Sequence, residues 1–215
     1  MAPKRTGLTR WRVLRMAIRI ADKGGIGSLS MRKLAQALGV EAMSLYNHVA
    51  NKEDVLDGIV EIVVTKIELP AIGAGWKGAM RRRAISAHEV LLRHPWAAML
   101  FVSRINVGPA MLRYVDETIG CLHTAGFSYA VADHACNAID NHIYGFTQQA
   151  LNFPLEPSKY GDAAAEFLPP IPANQYPHLH ALSEQVSNGT HDGVQDFCFA
   201  LDLILDGLER LHHDD

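Results

Sequence analysis

The 215-residue sequence contains only three cysteines, Cys121, Cys136 and Cys198, with no CxxC pair and no even-numbered framework. That excludes a disulfide scaffold and a thiolate metal site, and leaves the three as reduced side chains in apolar helical segments. No apolar run reaches the 18 or so uncharged residues of a membrane helix, and the basic N-terminus leads into an amphipathic segment instead of a signal-peptide core. A cytoplasmic protein with no membrane partner is expected. Internal repeats and alternating strand patterns are also missing, and the lack of glycine-rich phosphate loops and nucleophile motifs argues against an enzyme. Eleven histidines are present, but neither His178 with His180 nor His212 with His213 has a useful spacing. His88, His123, His134 and His142 make no i, i+4 pair on one helix, so no metal and no cofactor is expected.

What the chain does have is helical periodicity and an uneven charge. The net charge of -3 conceals a split near Lys52. Residues 1–52 carry ten Lys or Arg against Asp22 and Glu41, a net +8, whereas the remainder carries 10 basic and 21 acidic residues, a net -11. A compact +8 segment attracts a polyanion by counterion release, and an acidic remainder is repelled by one. Only the N-terminal part is therefore suited to face nucleic acid.

The spacing predicts a first helix over Thr9–Lys23, with Thr9 as N-cap, apolar Trp11, Val13, Leu14, Ala17, Ile18 and Ala21, and Gly24-Gly25 as the stop. Ser30 caps a second helix burying Met31, Leu34, Ala35 and Leu38, and Gly39 turns the chain into a third helix, Glu41–His48. Asn51 caps a fourth, whose stripe is Val55, Leu56, Ile59, Val60, Val63 and Ile67. After Pro70, helical patterns recur at about 76–93, 96–103, 109–125, 128–151, 177–187 and 191–212, and the proline-rich 152–177 reads as an irregular surface stretch. The fold class is all-α, with a DNA-binding domain over 1–52, a connecting helix over 53–70 and a helical domain over 71–215.

From Met31 the chain reads MRKLAQALGVEAMSLYNHV, the spacing of a helix-turn-helix. Ala35 permits close helix crossing, Gly39 supplies the turn, and Leu34, Leu38, Val40 and Leu45 face inward, leaving a short, mostly polar helix for the major groove. Together with SLYNHV and NKEDVLDGI, this stretch from Gly25 to Gly58 resembles the TetR family of repressors. The resemblance implies that Arg32, Ala42, Met43, Ser44, Tyr46, Asn47, His48 and Lys52 approach double-stranded operator DNA. Their chemistry agrees: Tyr46, His48 and Lys52 suit phosphates, Arg32 and Asn47 can bond base edges, and Ala42 and Met43 offer apolar contact. Ala42 stands where relatives often have glutamine, and Asn47 where tryptophan is common, so the operator should differ.

The resemblance further implies a homodimer and a small-molecule effector. Apolar residues on 128–151 (Ile139, Ile143, Phe146) and on the last helix (Phe197, Leu201, Ile204, Leu205, Leu208) are the expected interface, paired as a four-helix bundle. Arg83, Ser86, His88, Phe101, Arg104, Asn137, Asn141, Tyr144 and Gln149, polar and aromatic groups on apolar faces, are the candidate effector contacts. Tetracycline repressors hold a magnesium-drug complex with a histidine and a glutamate. Phe101 and Gln149 stand at roughly those positions and are poor magnesium ligands, which implies a more apolar effector. Two other readings remain: a metal-dependent helical enzyme using His134, Asp140 and His142, and a DNA-binding adaptor without a small molecule.

Overall fold

The computed structural model describes residues 7–73, 75–167 and 169–213, so Lys4 and Arg5 of the basic segment lie outside the described residues. Within them the chain forms eleven α-helices and no strand: α1 Arg10–Gly24, α2 Met31–Leu38, α3 Ala42–Leu45, α4 Lys52–Val64, α5 Trp76–Arg93, α6 Pro95–Ser103, α7 Pro109–Thr124, α8 Tyr129–Asn152, α9 Tyr160–Phe167, α10 Pro177–Ser187 and α11 Phe197–His213.

The N-terminal helices begin and end where local chemistry directs. Thr9 accepts a hydrogen bond from the Arg12 N–H, Ser30 from Lys33 and Asn51 from Asp54, each satisfying an orphan donor of the first turn. Gly39 closes α2 in the left-handed region (φ 68°), which non-glycine residues enter at a cost. Val13, Leu14, Ala17, Leu34, Leu45, Val55 and Ile59 form the small core; burying each Leu, Val or Ile stabilises by about 1.5–3 kcal/mol. Gly58 lets α4 press on α1, since a Cβ there would lie 2.7 Å from the Leu14 side chain.

In the C-terminal part α5 packs on α8, and α11 packs on both; α4 packs on α1 behind it and on α6 and α7 ahead of it. The structure departs from expectation in several places. The third helix spans only Ala42–Leu45, with Tyr46 to His48 continuing as a turn closed by the Val49 N–H to the Leu45 carbonyl. Within 152–177 the chain forms a 3-10 turn, Pro157–Lys159, and the helix α9 packed on α10. The last helix begins at Phe197, not 191, because Asp196 caps it through the Cys198 and Phe199 N–H groups. Trp11 is exposed, with the Arg15 guanidinium 5.7 Å from its ring.

The expected dimer face needs the largest correction. Ile139, Ile143, Leu201 and Leu205 are wholly buried inside the chain, and Phe197 and Leu208 nearly so. An apolar stripe serves its own core first, and these six have no surface left for a partner. Phe146 and Ile204 are half-buried. The exposed stripes of the same two helices are Ala138, Asn141 and Gly145 on α8, and Phe199 (65% exposed) and Leu203 (58%) on α11.

Candidate nucleic-acid interface and effector domain

The short α3 is set by its ends: Leu45 anchors it in the core, and its remaining residues face outward. Met43, Tyr46 and Asn47 are exposed, Ala42, Ser44 and His48 half-buried, and Arg32 and Lys52 exposed on either side. The structure thus brings all eight predicted DNA-approaching residues onto α2, α3, the turn after it and the first turn of α4. Arg15, Arg19, Lys23, Arg32, Lys33 and Lys52 form no ion pair among the described residues. Their charge is free for an outside partner.

Other cations in this region are engaged: Arg12 donates to the Gly7 carbonyl at 2.9 Å, and Arg10 makes a larger set of contacts. Arg10 holds Asp54 through two bonds of 2.8 and 2.6 Å and donates to the His48 carbonyl at 3.3 Å, while Asp54 also accepts from the Ala50 N–H. The hydrogen bond from Arg10 keeps the Asp54 carboxyl below the ordinary range. This knot fixes the end of the reading segment to α4.

α4 is also fastened to the C-terminal domain. Glu53, Asp57 and Glu61 recur every fourth residue and so share one face. Arg104, just after α6, pairs with Glu53 and with Asp57 (2.6 Å), and Glu61 accepts from the Ala110 and Met111 N–H groups at the N-terminus of α7 at 2.8 and 3.0 Å. Gly108 makes room for this, since a Cβ there would sit 2.2 Å from the Glu61 carboxyl carbon. A second fastening joins α1, the turn after α4 and the α5–α6 corner: buried His94 donates from Nδ1 to Asp22 at 2.7 Å and accepts at Nε2 from Lys66 at 2.7 Å, and Trp96 also donates to Asp22.

The predicted effector residues do not gather in one cavity. Arg104 belongs to the fastening just described, and the Ser86 hydroxyl accepts from the Glu68 N–H. Asn137 is exposed and donates to the Asp133 carbonyl. Asn141 and Gln149 are exposed beside a surface groove shared with Gln195 and Phe199. Phe101 meets Tyr144 edge to face with centroids 6.5 Å apart. A phenyl ring and an exposed amide do not fit a magnesium-drug complex, and among the described residues no group of three His, Cys, Asp or Glu is placed to hold a metal. The His212 and His213 side chains lie outside the described residues.

Two buried clusters do form. Arg83 pairs with Asp140 at 2.7 Å and lies over the Tyr114 ring at 4.6 Å. Burial pushes the Tyr114 and Tyr144 phenols above their ordinary range and the Cys136 thiol up to about 11. Elsewhere the Phe197 ring is sandwiched between His88 (4.3 Å) and His142 (4.7 Å). His88 donates to Thr147, whose hydroxyl donates to the Ile143 carbonyl, and His142 donates to the Phe197 carbonyl. Burial, then the neighbouring His142, lowers the His88 pKa. The sequence reading singled out neither Asp140 as the partner of Arg83 nor Glu61 and Asp57 as fastenings, although the four-residue spacing of the acids on α4 was visible.

Comparison with known proteins agrees with this geometry. Residues 13–59 match the model of bacterial regulatory proteins of the tetR family, and residues 69–212 match the tetracyclin repressor-like C-terminal domain. The chain is 32% identical to the HTH-type transcriptional repressor DrrR1 of Streptomyces coeruleorubidus, over 97% of this chain and 80% of that one. It is 31% identical to the class D tetracycline repressor protein of Escherichia coli, over 94% and 89%. Among solved structures, ActR from Streptomyces coelicolor in complex with (S)-DNPA superposes with a TM-score of 0.78 at 26% identity, covering 98% of this chain and 99% of that one. With both of its halves matched, this chain belongs to the TetR family of bacterial transcriptional regulators.

Proposed function

We propose that the chain is a dimeric repressor that grips operator DNA with the face of α3 and releases it when a small molecule occupies the C-terminal helices. The observation that carries the reading is the exposed α3 face set among cations that form no ion pair among the described residues, on a module fastened through α4 to a separate helical domain. Tyr46, His48 and Lys52 hold phosphates, Arg32 and Asn47 read base edges, and Ala42, Met43 and Ser44 fill the groove between them.

The dimer forms through the exposed stripes of α8 and α11, not the buried ones. Phe199 and Leu203 present apolar surface, and Gly145 and Gly207 allow close approach, a Cβ on either meeting nothing within 4 Å in the chain itself. Two reading heads then meet two half-sites.

Release follows from the fastenings on α4. A ligand that displaces the α6–α7 corner pulls Glu53, Asp57 and Glu61, and Arg10–Asp54 passes the shift to the reading segment. The relatives' names support a repressor reading, since DrrR1 and the tetracycline repressor proteins are named as repressors. The test is binding of the purified chain to a duplex selected from random sequence, followed by alanine replacement of Asn47 and Lys52. Altered base preference in the first and uniformly weaker binding in the second are expected; unchanged selection and affinity in both would remove the interface.

A further inference from the structure

Arg83 has no part in reading DNA or in pairing two chains. It sits on α5 with 1% of its surface exposed, and its Nη2 donates to Asp140 on α8 at 2.7 Å. Its Nε and Nη1 are buried without a hydrogen-bond partner among the described residues. A guanidinium carries five donors and keeps its charge, so two dry nitrogens are an unmet demand for oxygen. An ion pair of purely structural purpose would complete the fork or be replaced by apolar side chains of the same volume. Around the charge the surroundings are aromatic. Tyr114 lies under the guanidinium, and Tyr144 on the next turn of α8 from Asp140 meets the ring of Phe101. Tyr144 and Phe101 are only partly buried, so this aromatic surface reaches outward from the charge. Asp140 engages through one oxygen, and its side chain is a quarter exposed, so water can take over its charge when another anion arrives.

We propose that Arg83 anchors an aromatic anion, a flat ring system bearing a carboxylate, sulfonate or phenolate, whose charged oxygen takes the Nε and Nη1 donors while its rings lie against Tyr114, Tyr144 and Phe101. This rests on the reading of the C-terminal helices as an effector domain and names the chemical class of the effector. A charged oxygen is selected over a carbonyl because charge-assisted bonds to a guanidinium are about twice as strong as neutral ones. Neighbouring Arg81 and Arg82 cannot substitute, because their side chains are spent on Asp202 and Glu68 at the surface.

A matched pair of probes tests it on the full-length protein. 8-Anilinonaphthalene-1-sulfonate and N-phenyl-1-naphthylamine share their rings and differ in the sulfonate, and both report binding by fluorescence. The sulfonate should bind saturably at one site per chain, at least about tenfold tighter than the neutral amine. Arg83→Met should abolish that preference while leaving the amine unchanged, and Arg113→Met, at an exposed arginine of α7, should change neither. Because Arg83→Met strands Asp140, the same titration on Arg83→Met/Asp140→Asn decides the matter if the single variant fails to fold. Equal binding of the two probes, no saturable sulfonate site, or a preference that survives loss of Arg83 would overturn the proposal. Operator binding measured alongside separates the two readings. Sulfonate held at Arg83 with no effect on operator affinity supports the anion site and removes the effector domain. Operator release by a compound indifferent to Arg83 does the reverse.

Discussion

The two ends of the molecule differ in how much of their positive charge is paired within the chain. Of the ten cations after Lys52, six (Lys77, Arg81, Arg82, Arg83, Arg104 and Arg113) each face a carboxylate within the chain, while Lys66, Arg93, Lys159 and Arg210 form no ion pair among the described residues. In the N-terminal region Arg10 pairs with Asp54, but Arg15, Arg19, Lys23, Arg32, Lys33 and Lys52 have no such partner among the described residues. The arginine count is therefore a poor guide to nucleic-acid binding, and the pairing state is a good one. A paired cation has already exchanged its counterions for a neighbour, so little remains to be released when DNA arrives. The same contrast explains how a chain of net charge -3 can hold a polyanion.

Gly145→Met meets open space within the chain, so it should leave the fold intact and gain about 1 kcal/mol of helix stability. Yet it should split the dimer, and with it lower operator affinity about a hundredfold or more; sedimentation showing an intact dimer would exclude the α8–α11 face. Lys52→Ala should weaken operator binding by about 1 kcal/mol, whereas Arg81→Ala, which breaks a pair with Asp202, should leave it nearly unchanged. Gly108→Ala crowds Glu61 and loosens α4 from α7. Its effect on affinity for DNA is expected to be smaller than that of Lys52→Ala, while effector-induced release is blunted; full release in an anisotropy assay would argue against the fastening as the coupling. The smallest effect concerns pH. His88 has its pKa lowered in the folded chain, so as pH falls through the ordinary histidine range the unfolded chain takes up a proton that the folded one refuses. Thermal stability should decline between pH 7.5 and about 5.5, and the decline should be shallower in His88→Gln.

Much of the N-terminal module was legible because its determinants are local. Thr9, Ser30, Asn51 and Gly39 act on their own turn of chain, and each does in the structure what its residue type predicts. The C-terminal domain was legible as helices but not as contacts. Leu201 and Leu205 lie on an apolar stripe whose pattern cannot say whether the covering surface belongs to the same chain or a second copy. Helix α9 was hidden by the prolines that flank it. The run Arg81-Arg82-Arg83 shows the limit most clearly. Successive residues on a helix turn by about 100°, so three identical side chains point to α11, to Glu68 and into the core. Nothing in the sequence marks which of the three is buried.

The most direct measurement is the salt dependence of operator affinity for the wild-type chain, Lys52→Ala and Arg81→Ala. If the unpaired N-terminal cations hold the phosphates, the slope of log affinity against log salt falls by about 1 for Lys52→Ala and is unchanged for Arg81→Ala. A wild-type slope in Lys52→Ala, or an equal loss in Arg81→Ala, would contradict the division of charge on which the account rests.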